Sequence, residues 1–380
     1  MNQSEAPFAR RTLRRVVEKR TGQHEFSVVT YNILADFWLQ QNVTKKGSYS
    51  YCPNAYKYKG QGKRSHRHNL FMAELQWLNS DIICLQEVDT SYFTETLKEE
   101  LSKLGYDGHF AERCMGEPEG VALFFKRDKF HLEGMNSFHL NDLAARSFKQ
   151  TEIPKFAEVV LLATLRHKTS NNLLVMGTTH IEWGQQLKSV SQVCQITIVT
   201  NALHDMVKSL KSKGEQGSYI LCGDFNIEPQ FPAYQLLKEG ELTNKEMTRL
   251  KGVDYIRWGL DSLAPSQLLP DQASLLNRTK TQICNPLKNL QSAYKSVLGA
   301  EPQCTNHEGP GSMWTLDYIW YDSVNLEATA ALETVTPAMI TPYTGLPNEC
   351  FSSDHLSLKA CFKFTTDKNL ISQDELQQGV

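Results

Sequence analysis

An apolar run of four residues, Tyr219, Ile220, Leu221 and Cys222, stops at Gly223 and is followed by Asp224 and Asn226. Such a run reads as a buried strand, which excludes an unpaired charge until the chain leaves the core. Side chains two apart on extended chain share a face. Asp224 and Asn226 therefore leave the strand end in one direction. A carboxylate beside a carboxamide can hold a metal ion or an activated water and also donate to an anionic oxygen. The same residues would equally make a plain turn, and this stretch alone does not decide between the two.

The pattern recurs along the chain. Residues 26–34 (FSVVTYNIL) alternate and are β-branched, which predicts a strand with Asn32 and Asp36 at its end. Residues 81–88 (DIICLQEV) are apolar until Gln86 and Glu87, and a glutamate ending a buried strand is costly unless it serves a cation or a donor. Residues 173–180 (LLVMGTTH) end in His180, residues 315–321 (TLDYIWY) hold Asp317 near their start, and Asp354 and His355 precede a strand over 356–364. Residues 120–126 and 158–165 read as further strands, with a loop-rich polar stretch between them. Helical spacing appears over 67–78 (Leu70, Phe71, Leu75, Leu78), 91–104, about 188–211 and 231–239. Residues 240–290 are mixed and polar, and predict an irregular surface insertion. Ligand sites in α/β proteins gather at strand ends, and five strand ends here, with Asp317 inside a sixth strand, carry polar side chains suited to such a site.

The 380 residues, 41% hydrophobic and with a formal net charge of −2, suffice for one large α/β domain. No repeat or linker divides them, so one domain over 24–364 is expected, with a basic arm at 1–23 and a mobile polar tail at 365–380. No stretch reaches the roughly 18 consecutive apolar residues of a membrane span. Nine cysteines without a CxxC pair suit reduced thiols and a cytoplasmic location. A mitochondrial or nuclear location is the alternative, because Arg10, Arg11, Arg14, Arg15, Lys19 and Arg20 imitate a targeting segment that Glu5 and Glu18 oppose. The balanced charge gives no global attraction to nucleic acid, so any such contact needs a local patch. Residues 37–73 lack any acid and hold Lys45, Lys46, Lys57, Lys59, Lys63, Arg64 and Arg67 among Tyr49, Tyr51, Tyr56 and Tyr58. That segment suits a phosphate chain with stacking bases, and equally a soluble loop whose tyrosines pack locally.

Taken in order, YNIL (31–34), LQEV (85–88), THIEW (179–183), GDFN (223–226), LDYIWY (316–321) and SSDH (352–355) resemble the endonuclease/exonuclease/phosphatase superfamily of metal-dependent phosphoesterases. Residues 234–242 (YQLLKEGEL) and 345–358 (GLPNECFSSDHLSL) look like its Angel branch, a relative of the carbon-catabolite-repression-type deadenylases, nocturnin and the 2′,5′-phosphodiesterase. The resemblance implies a four-layer α/β-sandwich, two mixed sheets packed face to face and flanked by helices. It implies Mg2+, with Mn2+ as a substitute, held by Asn32 and Glu87 and assisted by Asp354. By the same resemblance Asp224 orients or deprotonates the attacking water, and Asn226 steadies that water and a phosphoryl oxygen. His355 transfers a proton or donates to the phosphoryl oxygen, Asp317 fixes its tautomer, and His180 donates to a non-bridging oxygen.

The implied substrate is the single-stranded 3′ end of RNA, met by Lys57, Lys59, Lys63 and Arg67 and stacked on Trp183 or Trp314. Removal of a 2′,3′-cyclic phosphate is the leading expectation. A 3′–5′ exoribonuclease or deadenylase, a 2′,5′-phosphodiesterase and an inactive RNA-binding relative are the alternatives. Deadenylases of this kind clamp the terminal adenine between a proline and a phenylalanine, at whose places this chain has Gln185 and Ser312. Angel-like members follow the histidine with an apolar-aromatic-Asn-Pro stretch, where this chain reads Ile181-Glu182-Trp183-Gly184.

Overall fold

The computed structural model describes residues 6–16, 25–45, 49, 51, 65–149, 155–253, 267–309, 312–340 and 344–365. Within them lie two mixed sheets. The first has seven strands in the order β1 (Leu13–Arg15), β14 (Leu326–Leu332), β15 (Leu358–Phe364), β2 (Glu25–Asn32), β3 (Ile82–Asp89), β5 (Glu119–Lys126) and β4 (Tyr106–Glu112). The second has six, in the order β10 (Leu290–Ser292), β13 (Asp317–Asp322), β9 (Gly217–Asp224), β8 (Leu173–His180), β7 (Val159–His167) and β6 (Phe130–His139). A short hairpin, β11 (Asn306–Gly309) and β12 (Ser312–Trp314), lies beside them. Each sheet has one parallel pair, β2 with β3 and β8 with β9, flanked by antiparallel neighbours.

Strands covered on both faces read as continuous apolar runs, which is why the central strands were legible. Phe26, Val28, Ile82 and Cys84 of the first sheet meet Met176, Ile220, Cys222 and Ile319 of the second in the middle layer. Outside the first sheet, Tyr31, Ile83 and Phe124 pack on Phe71 and Leu75 of the helix His66–Leu78. Outside the second, Val175, Leu221 and Trp320 meet the helices Leu140–Phe148, Gln185–Ser212 and Pro232–Glu239. Fully burying one such side chain is worth about 1.5–3 kcal/mol, so three apolar seams hold the layers firmly. The result is the expected helix–sheet–sheet–helix sandwich.

Several expectations are corrected. The N-terminal segment is not a free basic arm over residues 7–15. A 3-10 turn, Pro7–Arg10, leads into β1, which pairs with β14. Arg11 is buried there, donating to the carbonyls of Phe8 and Ser357 and pairing with Glu74 at 2.7 Å. Residues 1–5 and 17–24, and the tail from 366, lie outside the described residues. The region 240–290 is not irregular throughout. It holds a helix Asn244–Gly252, capped by the Thr243 hydroxyl, and a helix Pro270–Thr279 that buries Leu275 and Leu276. The stretch between residues 126 and 158 contains β6 and the helix Leu140–Phe148. β6 is an edge strand with half-exposed side chains, so it lacks an apolar signature. No helix among the described residues is long and apolar enough to cross a membrane, and their eight cysteines are free thiols.

Arg67 is the clearest correction. Expected as a groove cation, it is fully buried. Its guanidinium pairs with Asp36 at 2.9 Å and donates to the carbonyls of Ser352 (2.7 Å), Ile33 (2.6 Å) and Leu34 (2.5 Å). One planar, always-charged fork thus ties the chain after β2 to the loop before β15. Breaking a buried pair costs about 3–5 kcal/mol. Arg67→Met is therefore expected to lower the urea unfolding midpoint by that amount of stability, whereas a surface groove cation would leave the midpoint unchanged.

Candidate active site

The parallel pairs decide where the polar strand ends go. Asn32 ends β2 opposite Gln86 on β3, and His180 ends β8 opposite Asp224 on β9. β13 runs antiparallel to β9 and starts at Asp317, directly opposite Asp224. β15 runs antiparallel to β2, so the chain entering it arrives at the edge Asn32 has just left. There the Ser353 hydroxyl donates to the Asn32 carbonyl at 2.7 Å. Gly223 carries φ +149°, and a Cβ on it would sit 2.0 Å from the Thr179 carbonyl. Only glycine allows β8 and β9 to approach so closely just before Asp224. Glu87 and Asn226 take left-handed backbone, φ 53° and 51°. A non-glycine residue pays about 1–3 kcal/mol for such a conformation, and two such residues coincide at this edge.

The side chains meet around Asp224. Its Oδ2 accepts from Asn32 Nδ2 at 3.0 Å and lies 3.5 Å from the Nε2 atoms of both His180 and His355. Its Oδ1 accepts from the Asn226 backbone at 2.9 Å. Asn32 Nδ2 also donates to Glu87 Oε1 at 3.0 Å, so one amide bridges the two sheets. His355 Nδ1 meets Asp317 Oδ2 at 2.8 Å. Asn226 Nδ2 donates to the Ile181 carbonyl at 2.8 Å and lies 3.1 Å from His180 Nε2. Asp354 accepts from the Tyr49 hydroxyl at 2.7 Å.

Burial and charge set the protonation states. Burial pushes the Asp224 carboxyl up to about 7, against the pull of the His355 charge. Burial, helped by the charges of Asp354 and Glu119, pushes Glu87 up to about 8. Burial opposes a charge on His355, but Asp317 and then Asp224 outweigh it and hold the ring well above the usual histidine range. His180 is held well below that range by burial and by the positive charges of Arg113 and His355. One histidine of the pair is thus a cation and the other neutral.

Two sets of side chains bear on a metal ion. Asp224, Asp317 and His355 each bring one donor atom within 4.8 Å of the others. The direct His355–Asp317 hydrogen bond, however, marks those two as a proton-holding pair. Glu87 and Asp354 offer carboxylate oxygens, which suit a hard divalent cation, while Asn32 turns its Nδ2 to Glu87 and its Oδ1 accepts from the Leu34 backbone at 3.0 Å. Glu87 is half-buried beside other acids, and its ionised form is favoured where a cation compensates it. Asp317 Oδ1, His180 Nδ1 and Asn306 Oδ1 are buried without a protein partner. Such atoms cost about 1–3 kcal/mol each, which fits a place built to receive a charged ligand and its counter-ion.

The edge thus brings together Asn32, Glu87, His180, Asp224, Asn226, Asp317, Asp354 and His355. Trp183, 51% exposed, follows His180 in the loop before the long helix, and the half-buried Trp314 pairs in register with Asn306. Lys57, Lys59 and Lys63 lie outside the described residues. Arg67 is turned into the protein, as described above. Sequence reasoning missed Gln192, which donates to the carbonyls of Glu182 and Asn226 at 3.0 Å each and so pins two site loops together. It missed Gln195 too, which accepts from the Glu182 backbone and donates to Glu158, itself paired with Arg113. Two glutamines inside an otherwise apolar helical face were the available signal. Tyr49 read as an aromatic of the basic segment, yet it serves as a hydrogen-bond donor to Asp354.

Comparison with known proteins follows the same lines. A model of the Endonuclease/Exonuclease/phosphatase family matches residues 29–355. The CCR4-Not complex 3′-5′-exoribonuclease subunit Ccr4 of Candida albicans is 28% identical over 365 residues, 90% of this chain and 42% of that protein. The 2′,5′-phosphodiesterase 12 of Bos taurus is 26% identical over 366 residues, 91% of this chain and 53% of that protein. The chain thus spans about half the length of these curated relatives. Among solved structures, ANGEL2, a 2′,3′-cyclic phosphatase, in complex with adenosine-2′,3′-vanadate superposes with a TM-score of 0.71 at 23% identity, covering 93% of this chain and 99% of that one. The human Nocturnin catalytic domain does so with 0.62 at 23% identity, covering 95% of this chain and 100% of that one. Both have the same fold. With the family model spanning both halves of the sandwich and every strand end described above, the chain belongs to the Endonuclease/Exonuclease/phosphatase family.

Proposed function

We propose that this protein is a Mg2+-dependent phosphoesterase that acts on RNA 3′ ends and removes a terminal 2′,3′-cyclic phosphate. The observation that carries the reading is the Asp224 carboxylate set among Asn32, His180 and His355, with His355 backed by Asp317. Glu87, with Asp354, would hold the ion. When bound, Mg2+ offsets negative charge on the phosphoryl group.

The chain's own residues supply the rest. With its carboxyl raised to about 7, Asp224 is matched to accept a proton from water at neutral pH. The water oxygen then bonds to phosphorus, the bond to one ribose oxygen breaks, and the leaving oxygen takes a proton from His355. A second hydrolysis of the resulting monoester frees phosphate and leaves a 2′,3′-diol. Asn226 Nδ2 faces His180 Nε2 as a donor, which assigns the single proton of the neutral His180 ring to Nδ1. That N–H is buried without a protein partner, and Nε2, the ring nitrogen beside Asp224, is left as the acceptor.

The likeness to a named 3′-5′-exoribonuclease favours a second reading, hydrolysis of the RNA chain itself at the same site. Against it stand Gln185 and Ser312, at the places where the deadenylases put an adenine clamp. Two labelled RNAs of one sequence, one ending in a cyclic phosphate and one in an oligo(A) 3′-hydroxyl, separate the readings. Loss of the cyclic phosphate without shortening is expected, and a ladder on the oligo(A) RNA would establish the exonuclease instead. Asp224→Ala is expected to reduce turnover by about 10²–10⁴-fold, the usual contribution of a positioned acid or base, and EDTA to abolish it. An unchanged rate in either sample would contradict the proposal.

The His355–Asp317 pair makes a separate prediction. Without the Asp317 charge only Asp224 and Asp354 are left to oppose burial, so Asp317→Asn is expected to lower the His355 pKa. NMR titration of the imidazole checks this. A ring that titrates as in the unsubstituted protein would show that the pair does not hold the proton.

A further inference from the structure

A cavity of about 540 Å³ opens beside the site and is not used by the chemistry above. One wall is the chain just beyond Asn226, at Glu228, Pro229 and Gln230, and another is the chain just before Asp317, at Met313 and Thr315. The Tyr318 hydroxyl lies 2.8 Å from the carbonyls of both Ile227 and Thr315 and shares its one hydrogen between them, so these walls are tied to one another and to the strand pair that carries Asp224 and Asp317. The Thr315 hydroxyl donates to the Pro302 carbonyl at 2.7 Å and fixes a third wall. The cavity walls are therefore tied to the strands that carry Asp224 and Asp317, although no side chain of the site lines the cavity itself.

Its chemistry narrows the occupant. Pro229, Pro302 and Met313 present apolar surface, suited to a flat ring. Gln230 and Gln303 add carboxamides, which carry both donors and acceptors and match the edge of a base. Lys238 and Lys295, both exposed, stand at the lining, Lys238 paired with Glu239 on its own helix, and supply the positive charge that a phosphate would meet. The acids are engaged within the protein. Glu301 accepts from the Tyr234 and Ser292 hydroxyls at 2.6 and 2.9 Å, and Glu228 accepts from Gln230 at 2.9 Å. A lipid tail would leave the amides and lysines unanswered, and an inorganic anion would leave most of the volume unfilled. The volume lies within the range of about 300–1,000 Å³ usual for small-molecule sites.

Resting on the proposed RNA substrate, we infer that this cavity is a subsite for a nucleotide of the RNA neighbouring the one at the catalytic edge, with its base between Pro229, Pro302 and Met313 and its phosphate toward Lys238 and Lys295. Ends with a nucleotide to place there are then processed faster than minimal ones. A preference of about 5-fold corresponds to about 1 kcal/mol.

Two measurements on the full chain test this. The first compares kcat/KM for cyclic-phosphate-ended RNA fragments of one nucleotide and of five (the pentanucleotide) in the unsubstituted protein, in Met313→Trp, which fills the cavity, and in Gln303→Ala, which is exposed and keeps the fold. A preference of 5-fold or more for the pentanucleotide, falling to within about 2-fold in Met313→Trp and decreasing in Gln303→Ala, is expected. The second compares binding of the same two RNAs to Asp224→Ala, alone and combined with Met313→Trp, by fluorescence anisotropy, and so needs no turnover. Turnover without a length preference, or with one that both substitutions leave intact, overturns the subsite and leaves the catalytic proposal standing. Length-dependent binding that Met313→Trp abolishes, in a protein that cleaves neither RNA, upholds the subsite and overturns the catalytic proposal. Binding of neither RNA overturns the subsite.

Discussion

The structure depends on two parallel strand pairs, one per sheet, set face to face across a shared apolar layer. A parallel pair brings two C-terminal ends to one edge, and an antiparallel neighbour adds the start of a third strand. β2, β3 and β15 deliver Asn32, Glu87 and His355; β8, β9 and β13 deliver His180, Asp224 and Asp317. The two triplets meet because the middle layer holds the sheets in register. Gln86 makes part of that register polar, donating from one buried amide to Thr30 within its own sheet and to Thr178 across the layer. Asn32 closes the gap at the edge itself by bridging Glu87 and Asp224.

What is gathered there is expensive to hold. Glu87, Asp224, Asp317 and Asp354 are four acids at one edge, where His355 is drawn up as a cation. Left-handed backbone at Glu87 and Asn226 adds local strain. Gln192 and Gln195 on the long helix, Arg113 beneath it and the buried Arg67 fix the loops that carry these groups. Stability is surrendered at the edge and recovered in the seams around it, as expected where function conflicts with local packing.

Legibility in the sequence followed burial. The central strands are covered on both faces, so their apolar runs and the abrupt polar residues that end them stood out, and with them the fold and the groups at the edge. β6 escaped notice because an edge strand has half-exposed side chains. The helices Asn244–Gly252 and Pro270–Thr279 escaped because their apolar contacts are few and widely spaced. Arg67 was misread for a physical reason: in a basic stretch a buried arginine and a solvated one look alike, and only the carbonyls of Ile33, Leu34 and Ser352, brought near by the fold, distinguish them. Long-range partners such as Tyr49 for Asp354 have no local signature at all.

In the proposed function the edge divides its labour, with oxygen donors around Glu87 for a cation and the Asp224–His355–Asp317 set for protons. Calorimetric titration with Mg2+ alone tests it most directly, on the unsubstituted protein, Glu87→Gln and Asp317→Asn. Saturable binding is expected, weakened by about 10-fold or more in Glu87→Gln and left largely intact in Asp317→Asn. Binding that survives Glu87→Gln and is lost in Asp317→Asn would place the ion among Asp224, Asp317 and His355, and would contradict the division of roles drawn here.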